Sequence, residues 1–149
     1  MSDVSFLVDA MLGTLAKWLR ILGYDTVYDA RLDDDALVRL AMSEGRLLLT
    51  RDRGLAARRG PACLLIEETG LRRQLAQVLQ FVGGKPQATF TRCPRCNSPL
   101  TPIDKEQARG RVPPFTFQTQ NEFHLCPRCA RFYWSGTHRA AMEKWLRDI

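Results

Sequence analysis

Two sets of side chains in this sequence can do chemistry by their type and spacing. The first is four cysteines in two Cys-x-x-Cys pairs, Cys93 and Cys96 in "RCPRCNSPL" and Cys126 and Cys129 in "HLCPRCARFYW", with 29 residues between the pairs. Such a spacing lets each tight turn offer two thiolates to one tetrahedral ion, and the repeated Cys-Pro-Arg-Cys makes the two turns equivalent. Zinc is the expected ion. A closed site of four thiolates keeps no position for substrate, so this zinc folds its surroundings rather than catalysing. Redox chemistry is the competing use of such pairs, but it usually needs one pair at a helix start rather than two matched turns. His124 and His138 lie near the second pair. Four sulfurs already complete the site, so surface or nucleic-acid contact is expected of both histidines.

The second set is acidic. Asp9 ends the run "SFLVD", Asp34 and Asp35 are the second and third residues of "DDDALVRLAMSEG", Asp52 follows "LLLT", and Glu67 and Glu68 follow "ACLLI". Each acid alone reads first as a helix cap, since a carboxylate accepts the orphan amides of a first turn. Together they stand at the exits of successive strand-like runs. Carboxylates gathered at one edge repel one another unless a cation neutralises them, and hard oxygen donors suit Mg²⁺ or Mn²⁺. An ion held this way can activate water and stabilise the charge of an in-line attack on phosphate. The candidate catalytic ligands are Asp9, Asp34 or Asp35, and Asp52, with Glu67 and Glu68 at the fourth exit. No Gly-x-Ser-x-Gly, Walker loop or dinucleotide glycine fingerprint offers a competing chemistry, and neither histidine lies in this half. Lys17, Arg20, Arg51 and Arg53 are the candidates for holding phosphates near the acids.

These residues need a scaffold that brings strand ends together. Apolar strand patterns at 5–9, 25–30, 46–50 and 62–66 alternate with helical patterns at 11–23, 33–45, 53–60 and 69–84. Leu12, Leu15, Leu19 and Leu22 share one helical face, as do Leu71, Leu75, Leu79 and Val82. Strand–helix alternation with continuously apolar strands predicts an α/β domain with a parallel sheet covered on both sides, whose carboxyl ends share one ligand-binding edge. "GGKPQ" (83–87) breaks the pattern and sets the expected boundary, with the α/β domain at 1–85 and a zinc ribbon with a C-terminal helix at 86–149. The second segment is too short to bury much core and needs a metal staple.

Composition agrees with this division. A chain of 149 residues with 45% apolar content holds one ordinary domain and a small appendage. No apolar run reaches membrane-span length, and the start "MSDVSFLVDA" lacks a signal-peptide pattern, so a soluble cytoplasmic protein is expected. In a reducing compartment the paired cysteines point to metal before disulfide, while Cys63, alone in "ACLLI", reads as a small buried hydrophobe. The net charge of +6 is uneven: residues 1–85 hold 12 Lys+Arg against 11 Asp+Glu, and residues 86–149 hold 10 against 5. The basic residues of the second part are mostly arginines, whose planar forks suit phosphate. Arg95, Arg111, Arg128 and Arg131 therefore outline an electrostatic footprint for an anionic polymer, with Phe132, Tyr133 and Trp134 as either stacking surfaces or ribbon core.

"FLVDAMLGTLAKWLRILGYDT", "DDDALVRLAMSEGRLLLTRDRGL" and "CPRCARFYWSGTH" resemble the PIN-like ribonuclease family named after the C-terminal domain of the Mut-seven exonuclease. The resemblance runs over nearly the whole chain, zinc ribbon included. It implies a PIN-like α/β fold and metal-dependent RNA cleavage by the acids. Asp9 matches the first acid of the family, Asp34 or Asp35 the second, and Asp52 the acid of "TRD"; Glu67 or Glu68 stands loosely where a fourth acid is common. The resulting expectation is a Mg²⁺- or Mn²⁺-dependent ribonuclease with a structural zinc. The rival is a non-catalytic RNA-binding or ribosome-associated module whose acids serve only as caps.

Overall fold

The computed structural model describes residues 4–84, 90–135 and 137–148, and the chain divides into two compact units, Met1–Asn97 and Ser98–Ile149. In the first unit, β1 (Ser5–Val8), a 3-10 turn (Ala10–Leu12), α1 (Gly13–Ile21), β2 (Asp25–Tyr28) and α2 (Asp34–Glu44) are followed by β3 (Leu47–Thr50), α3 (Arg53–Ala56), β4 (Cys63–Leu65) and α4 (Leu71–Val82). The four strands form one parallel sheet in the order β2-β1-β3-β4. This is the α/β architecture expected from the alternation.

The central strands are apolar because both faces are covered. Phe6, Leu7, Val8, Leu48 and Leu49 are fully buried. α1 covers the sheet with Leu15, Ala16 and Leu19, and α4 buries Leu75, Val78 and Leu79. Leu37, Val38 and Ala41 of α2 pack with Leu7, Leu48 and Leu55 into one core layer. Each fully buried leucine is worth roughly 1.5–3 kcal/mol relative to exposure. Cys63 is half-buried against this layer, and burial pushes its thiol up, which suits packing rather than reactivity. The helix expected at 11–23 is preceded by a separate turn, because the Asp9 carboxylate caps Ala10 and starts a 3-10 turn before α1 begins.

The units divide later than the "GGKPQ" break, whose residues 85–87 lie outside the described residues. Residues 90–97 stay with the first unit because they bond to it. The Phe90 amide donates to the Ile21 carbonyl at 2.7 Å, and Asn97 Nδ2 donates to Asp25 Oδ1 at 2.7 Å. Arg46 Nη1 donates to the same Asp25 oxygen at 2.9 Å. Burial alone raises the Asp25 carboxyl, but hydrogen bonds from Arg46 and Asn97 and the charges of Arg46 and Arg92 outweigh it and hold the group below its ordinary value. A depressed carboxyl contributes stability that is fully present above its unfolded pKa of about 3.9 and is lost as pH falls through the lower folded value. Thermal melting below about pH 4 is therefore expected to fall more steeply for the wild type than for Asp25→Asn. Equal acid slopes in the two proteins contradict this role.

In the second unit, β5 (Thr101–Ile103), α5 (Lys105–Ala108), α6 (Pro114–Thr119), β6 (Phe123–Cys126), β7 (Arg131–Trp134) and α7 (Thr137–Arg147) follow in order. The three strands make an antiparallel sheet, β5-β6-β7. Its core is small: Ala108, Val112 and Phe123, with Ile103, Phe117, Phe132 and Trp134 packed around them. Phe132 and Trp134 thus belong to the ribbon core and are not free stacking surfaces. No helix among the described residues is long and apolar enough to cross a membrane.

Candidate active site and metal centre

The parallel sheet sends the carboxyl ends of its strands to one edge. In the β1–β3 register Val8 pairs with Leu49, so Asp9 and Thr50 come next on adjacent strands. The Asp9 amide extends that ladder by donating to the Leu49 carbonyl at 3.0 Å. Thr50 is fully buried. Its hydroxyl donates to Asp9 Oδ2 at 2.7 Å and accepts from the Asp52 amide at 3.0 Å. Thr50 therefore joins the two loops that bear Asp9 and Asp52. In the sequence it reads only as a β-branched strand residue, and nothing local marks its hydroxyl as a bridge.

Both acids are also caps. Asp9 Oδ1 accepts from the Ala10 amide at 2.6 Å. Asp52 Oδ1 accepts from the Gly54 and Leu55 amides at 2.8 and 3.2 Å. Capping by a single oxygen orients the carboxylate of Asp52 and leaves its Oδ2 open among the described residues. A cap and a ligand are thus compatible in one side chain, because each carboxylate oxygen carries two lone pairs.

The other acids do not complete an ion-sized group with this pair among the described residues. The cap of α2 is Asp33, whose Oδ1 accepts from the Ala36 amide at 2.8 Å. Asp34 and Asp35 lie exposed in the first turn. Arg58 donates to Asp35 Oδ1 at 2.7 Å, and this bond and the arginine charge hold the Asp35 carboxyl below its ordinary value. Glu67 lies 3.8 Å from Arg53, with both side chains exposed. Glu68 offers its backbone carbonyl to Arg51 Nη1 at 2.6 Å. Among the described residues, no three carboxylates are drawn together as for an ion; the one such group is the four cysteines.

Beside Asp9 and Asp52 in sequence, an open cleft of about 560 Å³ runs between the starts of α1 and α4, with Met11, Thr14, Arg51, Leu71 and Gln74 in its lining. Lys17 is exposed on α1, and Arg95, Arg111, Arg128 and Arg131 are all exposed. Arg20, expected beside a phosphate, is instead 7% exposed. Its Nε donates to the Thr26 carbonyl at 2.9 Å, and its Nη1 donates to the Pro94 and Arg95 carbonyls, each at 3.1 Å. Burial pushes the Arg20 guanidinium below its ordinary value, against the opposing pull of Cys96, Cys93 and Asp25; an arginine so placed stays charged. Its position on α1 did not reveal this burial, because the acceptors lie far along the chain.

The sulfurs of Cys93, Cys96, Cys126 and Cys129 all lie within 4.8 Å of one another. Zinc–sulfur bonds of about 2.3 Å at tetrahedral angles place sulfurs about 3.8 Å apart, so the group fits zinc after a small contraction. The two turns repeat one geometry. In the first, the Asn97 amide donates to the Cys93 carbonyl at 2.8 Å and Asn97 has φ 74°. In the second, the Ala130 amide donates to the Cys126 carbonyl at 2.8 Å and Ala130 has φ 57°. A left-handed residue after the second cysteine closes each turn and aims both sulfurs the same way. Asparagine adopts that conformation more readily than alanine. The His138 side chain lies outside the described residues, and His124 is half-buried on β6.

Residues 4–146 match the family model described as Mut7-C RNAse domain. The comparisons with curated proteins and with solved structures returned no match.

Proposed function

The chain belongs to the Mut7-C RNAse domain family, and on that footing we propose a PIN-like ribonuclease that hydrolyses RNA phosphodiester bonds with a divalent metal ion, its four cysteines holding a structural zinc. The observation that carries the reading is the Asp9–Thr50–Asp52 linkage at the carboxyl edge of the parallel sheet, where α/β folds bind ligands. Asp9 and Asp52 would hold Mg²⁺ or Mn²⁺, with Asp34 as the third acid, since Asp35 is engaged by Arg58. The donor set fits, being hard carboxylate oxygen throughout. When bound, the ion supplies an activated water and neutralises charge developing on the phosphate. Thr50 holds the Asp9 carboxylate and the Asp52 backbone, while the Gly54 and Leu55 amides orient the Asp52 carboxylate through Oδ1 and leave Oδ2 for the ion.

Lys17 and Arg51 would contact phosphate on the α/β unit, and Arg95, Arg128 and Arg131 would do so in the basic part of the chain, where residues 86–149 carry 10 Lys+Arg against 5 Asp+Glu. The test is cleavage of an end-labelled single-stranded RNA in Mg²⁺ or Mn²⁺ and its arrest by a chelator at a concentration that leaves the zinc bound. RNA that is bound but never cut in either metal establishes the non-catalytic alternative.

The basic footprint makes its own prediction. Each phosphate neutralised on single-stranded RNA steepens the fall of log affinity with log salt by about 0.7. Replacing Arg95, Arg128 and Arg131 together by glutamine is expected to lower that slope by about 2 while the zinc remains bound. A slope unchanged in the triple variant, measured by fluorescence anisotropy across a salt series, rejects these three contacts.

A further inference from the structure

The hydrogen bonds around Thr26 have no part in the nuclease chemistry, yet they solve a problem of the fold. β2 is an edge strand of the sheet, and an edge presents amides and carbonyls without a neighbouring strand. At Thr26 both outward groups are taken up. The Thr26 amide donates to Asn97 Oδ1 at 2.9 Å, and the Thr26 carbonyl accepts from Arg20 Nε at 2.9 Å. Arg20 Nη1 then reaches the carbonyls of Pro94 and Arg95, each at 3.1 Å. These are the two residues between Cys93 and Cys96. Arg92 Nη1 holds the Asn97 carbonyl at 2.9 Å, and the Asn97 amide closes the turn on Cys93. The first cysteine turn is therefore bonded along the open edge of the α/β sheet, and Thr26 is fully buried beneath it.

We propose that zinc bound through Cys93 and Cys96 latches this turn over β2, with Arg20 and Asn97 as the positioning residues, so that metal loading governs the order of the nuclease sheet edge. The inference rests on the zinc reading of the four cysteines. An ion that fixes both sulfurs fixes the backbone between them, and that backbone presents the Pro94 and Arg95 carbonyls to Arg20. It also fixes the left-handed Asn97 whose side chain pairs with Thr26. Linkage runs both ways: contacts that hold the turn against β2 hold the two thiolates in binding geometry and raise zinc affinity. Outer-shell groups of this kind typically affect metal affinity by about 10–100-fold.

The experiment uses the full chain, with zinc content measured first and the exchange of the Thr26 amide followed by NMR before and after chelation. Removing zinc is expected to speed Thr26 exchange strongly while the central strands β1 and β3 stay protected. In competition with a chelator, Arg20→Gln and Asn97→Ala are each expected to weaken zinc binding by about 10–100-fold. Asn97→Ala takes away the partner of the Thr26 amide and a bond to Asp25, both partly buried, but removes no core side chain, and it keeps the test open should Arg20→Gln fail to fold. Val38→Ala, which thins the core under α2 and touches none of these groups, is expected to lower stability with zinc affinity unchanged. If zinc is bound but its removal leaves Thr26 exchange unaltered, the latch is wrong and the zinc reading survives. If the wild-type protein binds no zinc, both fall together.

Discussion

Asp52→Asn is expected to cleave RNA at least about 100-fold more slowly than the wild type while melting at nearly the same temperature. The two halves of this result have separate causes. In the structure the Gly54 and Leu55 amides both meet one oxygen, Oδ1. Asparagine presents the same carbonyl oxygen and caps about as well as aspartate, so the α3 start survives. The Asp52 amide still donates to Thr50, because that bond uses the backbone. What the variant loses is the negative charge and the second oxygen, which the proposed Mg²⁺ or Mn²⁺ needs. Losing an outer-shell partner of a metal already costs about 10–100-fold in affinity or activity, so losing a ligand belongs at or beyond the upper end. The measurement pairs cleavage of single-stranded RNA in Mg²⁺ or Mn²⁺ with thermal melting. Wild-type cleavage by a folded Asp52→Asn protein reduces Asp52 to a cap.

The second large effect concerns the zinc. Cys129→Ser is expected to abolish zinc binding and to unfold residues from Ser98 onward. Among the described residues the second unit buries four apolar residues outside its cysteines, Ala108, Val112, Phe123 and Leu146, the first three at the centre of one cluster, and its strands are three or four residues long. Apparent zinc-binding energies of about 10–16 kcal/mol in zinc-finger peptides show how far a tetrahedral site can outweigh so small a core. The first unit has its own two-sided sheet and is expected to persist. Metal analysis checks the first claim, and amide exchange across residues 98–135 checks the second. Full protection of those amides in a zinc-free variant would falsify the staple.

Much of this architecture was legible along the chain, and the reason is that its signals are local. The leucine rows of α1 and α4 follow the period of a helix, and the runs at 5–8 and 47–50 are apolar enough to be covered on both sides. The paired Cys-Pro-Arg-Cys turns declare a four-thiolate site by spacing alone, and the gathered sulfurs agree. The short α5 and α6 were not legible, since four and six residues make too little of a helical period to detect. The later unit boundary was hidden as well, because a stretch rich in Gly and Pro interrupts local periodicity and does not say where long-range contacts change.

The candidate site divides in the same way. Residue type and strand-end position named Asp9 and Asp52 as candidates, together with Asp34 and Asp35. Tertiary structure alone decided that Thr50 reaches Asp9 across 41 residues of chain, that Asp35 is engaged by Arg58 across 23, and that Arg20 turns inward to carbonyls 74 and 75 residues away. A hydroxyl on a strand and a guanidinium on a helix look alike in sequence whether they face water or a partner. Strand register and the docking of the first cysteine turn supply the partner, and neither leaves a periodic trace in the residues it unites.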